Sequence, residues 1–197
     1  MVNPSPFIFA PSQYWDGNDG KWSSFSIRVG TPEQNFRVLP ATNTGDTIIP
    51  IVDGCENEDD PPDCGNRRGV YSFEGDPSQG FVTNESSTWN EIGIFQANLR
   101  PVLNITGNAL YGLDKVGLMV EDRSGPTLDG MVVGAIKNPR VYVGLFGLKP
   151  SALNFSGYEH PQSSMLQRLK HSHTVSSLSY GYTAGAYYSK YLIQYFP

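Results

Sequence analysis

The sequence has few charged residues, only two cysteines and no long apolar run, and each shortage excludes a class of protein. Charged residues make up 17% of the 197 residues, which argues against coiled coils and long helical bundles. No stretch approaches the roughly 18 consecutive apolar residues of a transmembrane helix. Acidic residues outnumber basic ones by 19 to 14 and the net charge is −5, so binding to nucleic acid or an anionic membrane is not expected.

Turn-forming residues are abundant by contrast, with 21 glycines and 15 prolines. They separate short apolar or alternating runs, which we predict as strands at residues 22–29, 35–39, 47–52, 91–99, 114–120, 131–135 and 142–146. This spacing is typical of an all-β barrel or sandwich. Apolar residues on one face of 162–170 predict a single short helix that ends in basic residues. The length is sufficient for one domain with its own core.

The two cysteines, Cys55 and Cys64, bracket an acidic loop that contains prolines. We expect a disulfide that closes this loop. A zinc site is the weaker alternative, because His160, His171 and His173 lie far along the chain and lack the paired spacing of zinc ligands. The sequence therefore predicts no metal site.

Three Asn-x-Ser/Thr sequons begin at Asn84, Asn104 and Asn154. Together with the isolated cysteine pair they predict N-glycosylation and a secreted or extracellular location. Residues 1–20 lack the basic start and apolar segment of a signal peptide. We therefore expect that a signal peptide was removed or that the gene prediction begins late.

Several sequence segments of the chain are similar to segments of one protein family and occur in the same order. The predicted hairpin at residues 25–38 reads FSIRVGTPEQNFRV, and residues 142–148 read YVGLFGL. Residues 111–116 read YGLDKV, and the predicted helix is followed by VSSLS at 175–179. Together they resemble the N-terminal lobe of the pepsin-like aspartic proteases (peptidase family A1), in particular the divergent fungal members. The family's hairpin usually reads Ile-Gly-Thr-Pro-x-Gln-x-Phe-x-Val.

The resemblance implies a mostly β lobe built on a six-stranded barrel, with one or two short helices and a strand at 175–179 after the predicted helix. It covers residues 14–188, after an N-terminal extension at 1–13 and before an atypical tail at 189–197. It implies that Cys55 and Cys64 stand at the family's first small-loop disulfide. Because the family continues into a second lobe, we expect that the gene prediction is truncated. The implied partners are a peptide or protein and, in an intact parent, a C-terminal lobe; no cofactor is implied.

Pepsin-like catalysis requires two aspartates that share one proton across a cleft, one from an Asp-Thr-Gly turn of each lobe. One activates a water as a base while the other hydrogen-bonds the scissile carbonyl. The family places the first aspartate five residues after Phe36 and nine before Pro50, and both counts reach Ala41. An alternative register with an insertion and a deletion reaches Asn43. Neither residue is a carboxylic acid, so no catalytic residue is predicted.

Nearby acids do not replace the missing aspartate by position. Asp46 and Asp53 are expected to be solvated loop residues. The residues that would border a peptide cleft are the turn and the shortened flap: Thr42, Asn43, Thr44, Gly45, Gly107, Asn108 and Tyr111. Tyr111 is open to two interpretations, a displaced flap tyrosine or a tyrosine packed in the core.

The sequence therefore predicts an aspartic-type endopeptidase family member that is catalytically inactive as it stands and retains at most a peptide-binding role. The alternative is a secreted carbohydrate-binding or other all-β binding module. A cluster of tyrosines that could stack on sugars supports this alternative: Tyr180, Tyr182, Tyr187, Tyr188, Tyr191 and Tyr195.

Overall fold

Nine strands and two short helices make up the regular structure within the described part of the chain. The structure is a computed structural model that describes residues 6–16, 21–52, 54, 62, 64–71, 80–97, 99, 107–120, 125–138, 141–156 and 158–183. The strands are β1 (Trp15–Asp16), β2 (Trp22–Ser23), β3 (Phe25–Val29), β4 (Gln34–Ala41), β5 (Thr47–Pro50), β6 (Asn90–Gln96), β7 (Asn108–Leu118), β8 (Thr127–Ile136) and β9 (Gly144–Gly147). The helices are α1 (Cys64–Arg67) and α2 (Met165–His171), with a 3₁₀ turn at Thr83–Glu85.

Six of the strands close into a barrel. Their order around it is β3, β4, β9, β5, β8 and β7, and β7 pairs back with β3 to complete the ring. Strand β6 lies outside the ring on β7, while β1 and β2 form a separate two-stranded ribbon. The predicted mostly β barrel with a short helix is therefore confirmed. Closure matters because it leaves no unpaired edge within the ring.

Strand β9 lies between two strands that are consecutive in the sequence. It runs parallel to β4, with Ala41 opposite Gly147, and antiparallel to β5, with Ile48 opposite Leu145. The chain between β4 and β5 must therefore pass over the end of β9. This crossing fixes the position of residues 42–46, because both strands that flank them are hydrogen-bonded to the same neighbour.

Alternating side chains divide the apolar residues of the barrel into two clusters. Ile49 and Val133 belong to the larger cluster, with residues of β3, β4 and α2, while Ile48 and Val132 belong to a second cluster with Tyr111. Adjacent strand residues point to opposite faces of the sheet, so β5 and β8 are apolar on both faces. This explains why the run TIIP of β5 is buried throughout.

Residues 6–13, the described part of the predicted N-terminal extension, pack on the barrel. The ring of Phe9 lies 4.8 Å from that of Phe25 and 5.4 Å from that of Phe146, centroid to centroid. The Ser12 and Ser24 hydroxyls are hydrogen-bonded at 2.7 Å in a buried site. These contacts join the segment to the apolar core.

The predicted helix starts later than expected, and the strand predicted after it is wrong. Ser164 is the N-cap of α2: its hydroxyl accepts the Gln167 N–H, and its own N–H donates to the Gln167 side chain. This capping box starts the helix at Met165 rather than at residue 162. Residues 175–179 form bends without a strand. None of the helices within the described ranges is long and apolar enough to cross a membrane.

Candidate functional site

Ala41, the residue that the resemblance would set in place of a catalytic aspartate, lies at the start of the turn between β4 and β5. Ala41 ends β4 with 7% of its surface exposed. Its carbonyl accepts the Leu148 N–H at 2.8 Å, just beyond the end of β9. A methyl group can neither hold a proton nor activate water. The main chain at this position is therefore well anchored, while the side chain offers no acid–base chemistry.

The next four residues of the turn differ in exposure. Thr42 and Asn43 are exposed, whereas Thr44 and Gly45 are buried. The Thr44 carbonyl accepts the Lys149 N–H at 2.9 Å. A Cβ added at Gly45 would lie 3.2 Å from the Lys149 carbonyl oxygen, so the glycine permits a close approach of the two chains. The turn thus presents two polar side chains to solvent on a fixed backbone.

Asp46 is not a solvated loop acid, and that expectation is wrong. The residue is 1% exposed, and the Tyr111 hydroxyl donates a 2.6 Å hydrogen bond to its Oδ2. Its Oδ1 is buried and has no hydrogen-bond partner among the described residues. Asp46 points inward, where the buried Tyr111 hydroxyl of β7 donates a hydrogen bond to its carboxyl. Asp53 lies outside the described residues.

Burial dominates the electrostatics of this pair. Loss of water raises the pKa of the Asp46 carboxyl, and the hydrogen bonds from Tyr111 and from the backbone oppose this only in part. Burial also raises the pKa of Tyr111, and the adjacent Asp46 adds to that increase. Each group favours its neutral form in a site of low dielectric constant.

Aromatic rings and a glycine hold the Tyr111 side chain in place. Its ring centroid lies 5.0 Å from that of Phe155 and 6.1 Å from that of Phe95. A Cβ added at Gly134 of β8 would come within 2.9 Å of the Tyr111 ring. Tyr111 itself is 1% exposed. The residue is thus packed in the second apolar cluster, within β7, rather than exposed beside the turn.

The other two flap candidates lie where the β6–β7 connection meets β7. Asn108 begins β7 and is exposed, and the Gly107 carbonyl accepts the Ala97 N–H at 2.9 Å. A Cβ added at Gly107 would face the Asn138 amide at 3.7 Å, near the end of β8. Residues 100–106, which precede these candidates, lie outside the described residues. Tyr111 is the flap candidate that contacts the turn, through the buried Asp46 carboxyl.

Two of the three predicted glycosylation sites are exposed at the surface. Asn84, in the 3₁₀ turn, and Asn154 are exposed, while Asn104 lies outside the described residues. Cys64 begins α1 and is not a free thiol. Because Cys55 lies outside the described residues, the pairing of these two cysteines stays a prediction. No group of three or more potential metal-ligating side chains occurs within the described ranges.

Sequence reasoning missed the Asp46–Tyr111 pair. The two residues are 65 positions apart, so no local pattern connects them. One signal was present: Asp46 immediately precedes the buried run of β5, where a charged side chain is unexpected unless it is paired. No family model and no curated protein matches the chain.

Proposed function

We propose that the chain is a pepsin-like lobe that binds a peptide segment without cleaving it. The observation that carries this proposal is that the turn offers no accessible carboxyl: Ala41, which the resemblance would set in place of the acid, has only a methyl group, and Asp46 is buried against Tyr111. A general base must reach the water that it activates. The Asp46 carboxyl is 1% exposed and cannot serve a bound substrate from its position.

The relative position of the matching segments supports the pepsin-like part of the proposal. The FSIRVGTPEQNFRV hairpin corresponds to β3 and β4, and the YVGLFGL segment contains β9. These two parts of the resemblance are far apart in sequence but pair side by side, with Val38 opposite Gly144. A chance likeness of short motifs would not require them to meet in the fold.

Peptide binding is the activity that the turn could retain. Thr42 and Asn43 are exposed on a backbone held by bonds from Leu148 and Lys149. A hydroxyl and a carboxamide can each donate to and accept from the main chain of an extended peptide. A rigid backbone reduces the ordering cost of binding. The exposed Asn84 and Asn154 are consistent with the further proposal that the chain is a secreted, glycosylated protein with a Cys55–Cys64 disulfide.

Calorimetry with pepstatin, a peptide-like inhibitor of pepsin-like proteases, tests this function at acidic pH. We expect binding to the wild-type chain and at least a tenfold weaker affinity for Asn43→Ala, or about 1.4 kcal/mol. Asn90→Ala is the matched control, because it also removes an exposed asparagine and lies outside the sequons. Equal loss in both variants, or no binding by the wild type, would refute the proposal.

A cleavage assay on a denatured protein substrate separates binding from catalysis. We expect no pepstatin-sensitive cleavage by the wild type at acidic pH. Cleavage that pepstatin abolishes, and that persists in Asn43→Ala and Asp46→Asn, would mean that the acid lies elsewhere and that the assignment to Ala41 is mistaken.

Carbohydrate binding remains the second candidate because aromatic side chains are exposed on the described surface. Tyr14, Trp22, Tyr180 and Tyr182 each have between 43% and 52% of their surface exposed. Exposed rings of this type can stack on sugars. Binding to a glycan array that Tyr180→Ala or Tyr182→Ala removes, together with no affinity for pepstatin, would favour this candidate over the first.

A further inference from the structure

The Asp46–Tyr111 pair lies where the turn, β7 and the segment after β9 meet. The Asp46 main chain is close-packed as well: a Cβ added at Gly147 would lie 2.5 Å from the Asp46 carbonyl oxygen. The Asp46 N–H also faces the Thr44 hydroxyl at 3.4 Å. Any movement of the Asp46 side chain into water must therefore shift the turn that bears Thr42 and Asn43.

We propose that the Asp46–Tyr111 pair is a pH-dependent latch, which holds the 42–46 turn against the barrel while the carboxyl is protonated and releases it on deprotonation. The proton is lost to solvent, and no other covalent bond is made or broken. An ionised carboxylate at this site would have one oxygen bonded to Tyr111 and one buried oxygen with no partner among the described residues. Buried unpaired charge is strongly unfavourable, so the ionised side chain moves towards water.

The surroundings of the carboxyl offer no compensating charge among the described residues. β7 contributes Tyr111, whose hydroxyl is neutral, and β8 and β9 contribute Gly134 and Gly147. The Lys149 backbone N–H donates a hydrogen bond to the turn, and Lys149 is itself an exposed residue. No cation is among the groups that shift the pKa of Asp46.

The direction of the pH effect follows from the raised pKa of Asp46. The folded chain binds this proton more tightly than the unfolded chain does. The stabilisation is therefore complete below the ordinary aspartate pKa of about 3.9 and is lost as the pH rises through the higher folded value. The latch predicts a fold that is tighter in acid than at neutral pH, whether or not the turn binds a peptide.

Thermal unfolding of the full chain at about pH 4.5 and about pH 7 tests the latch. We expect the wild type to melt at a lower temperature at neutral pH, and Asp46→Asn to lose roughly half or more of that difference. Asp129→Asn is the control, since the Asp129 side chain is 86% exposed, and it should retain the wild-type difference. A difference in Asp46→Asn as large as in the wild type would overturn the proposal.

Carbon NMR titration of the side-chain carboxyls provides a test on the wild type if Asp46→Asn does not fold. The Asp46 carboxyl should titrate above the ordinary aspartate pKa of about 3.9. Tyr111→Phe should raise the pKa of Asp46 further, because the Tyr111 hydrogen bond lowers it. Titration of Asp46 at the ordinary aspartate pKa or below it, or a lower pKa in Tyr111→Phe, would overturn the latch.

Hydrogen exchange locates the released segment. The Leu148 and Lys149 amides donate to the Ala41 and Thr44 carbonyls, so they report on the turn directly. After correction for the intrinsic pH dependence of exchange, these amides should lose protection between acidic and neutral pH, while the Ile27 amide of β3 keeps it. Equal changes at all three amides would indicate global loosening and contradict a local latch.

Discussion

The chemistry of the turn depends on the direction in which two small side chains point. Ala41 stands where the proposed resemblance would set an acid, and Asp46, five residues later, points into the barrel to meet Tyr111. A carboxyl exposed to solvent can act as a base, whereas burial raises the pKa of the Asp46 carboxyl and favours its neutral form. The methyl group at position 41 and the buried acid at position 46 are therefore separate features of the same turn.

Gly147 sets the spacing between the turn and β9, and its substitution should be costly. A Cβ there would lie 2.5 Å from both the Gly45 carbonyl carbon and the Asp46 carbonyl oxygen, which are backbone atoms that cannot rotate away. We expect Gly147→Ala to lower the free energy of unfolding by about 1–3 kcal/mol, the usual cost of overpacking. Urea denaturation measures this value.

Gly181→Ala is the matched control for this substitution, because a Cβ added at Gly181 meets no atom within 4 Å. Its free energy of unfolding should stay within about 0.5 kcal/mol of the wild type. If the two variants are equally stable, the close approach of the turn to β9 is wrong.

At the scale of elements, the stability of α2 depends on its N-cap residue, Ser164. The Ser164 side chain is buried and forms both halves of a capping box with Gln167. Ser164→Ala should reduce the free energy of unfolding by about 1 kcal/mol, because N-terminal N–H groups of the helix lose their acceptor. Far-UV circular dichroism during urea denaturation measures the loss.

Ser176→Ala is the control for the helix cap, since Ser176 is exposed and lies beyond α2. It should leave the denaturation midpoint unchanged. A midpoint for Ser164→Ala that matches that of Ser176→Ala would show that the capping box does not stabilise α2.

Local sequence patterns predicted the elements that form between neighbours in the sequence, such as a hairpin or a short amphipathic helix. The hairpin of β3 and β4 follows from alternating residues on both sides of Gly30, and its strands pair with each other. Residues 175–179, where the resemblance implied a strand, form none, because a short matching segment does not supply a partner strand. The prediction for β7 began at residue 114, six residues late, since Gly112 and Asn108 resemble turn residues in isolation.

The site was less predictable than the fold for a physical reason. Ala41 could be placed by counting from Phe36 and Pro50, because strands fix the spacing between their ends. The burial of Asp46 could not be predicted in this way. It depends on a tyrosine 65 residues away and on glycines that let the backbone segments approach each other. A pattern of neighbours in sequence contains no information on such contacts.

At the scale of the whole molecule, barrel closure brings the candidate residues into a fixed relation. β9 pairs with both strands that flank the turn, and β7 carries Tyr111 to the buried end of the same turn. The barrel thus positions an exposed polar pair, Thr42 and Asn43, over a buried acid. We propose that this surface binds peptide and that no acid on it cleaves the bound chain.

The most direct test follows the backbone amides of the isotope-labelled full chain by NMR as pepstatin or an unmodified peptide is added at acidic pH. Mass spectrometry of the unmodified peptide is run in parallel. The account predicts saturable shifts at Thr42, Asn43 and Gly45, and an intact peptide at the end of the experiment. Shifts confined to residues around Tyr180 and Tyr182, or a cleaved peptide whose cleavage pepstatin prevents, would contradict it.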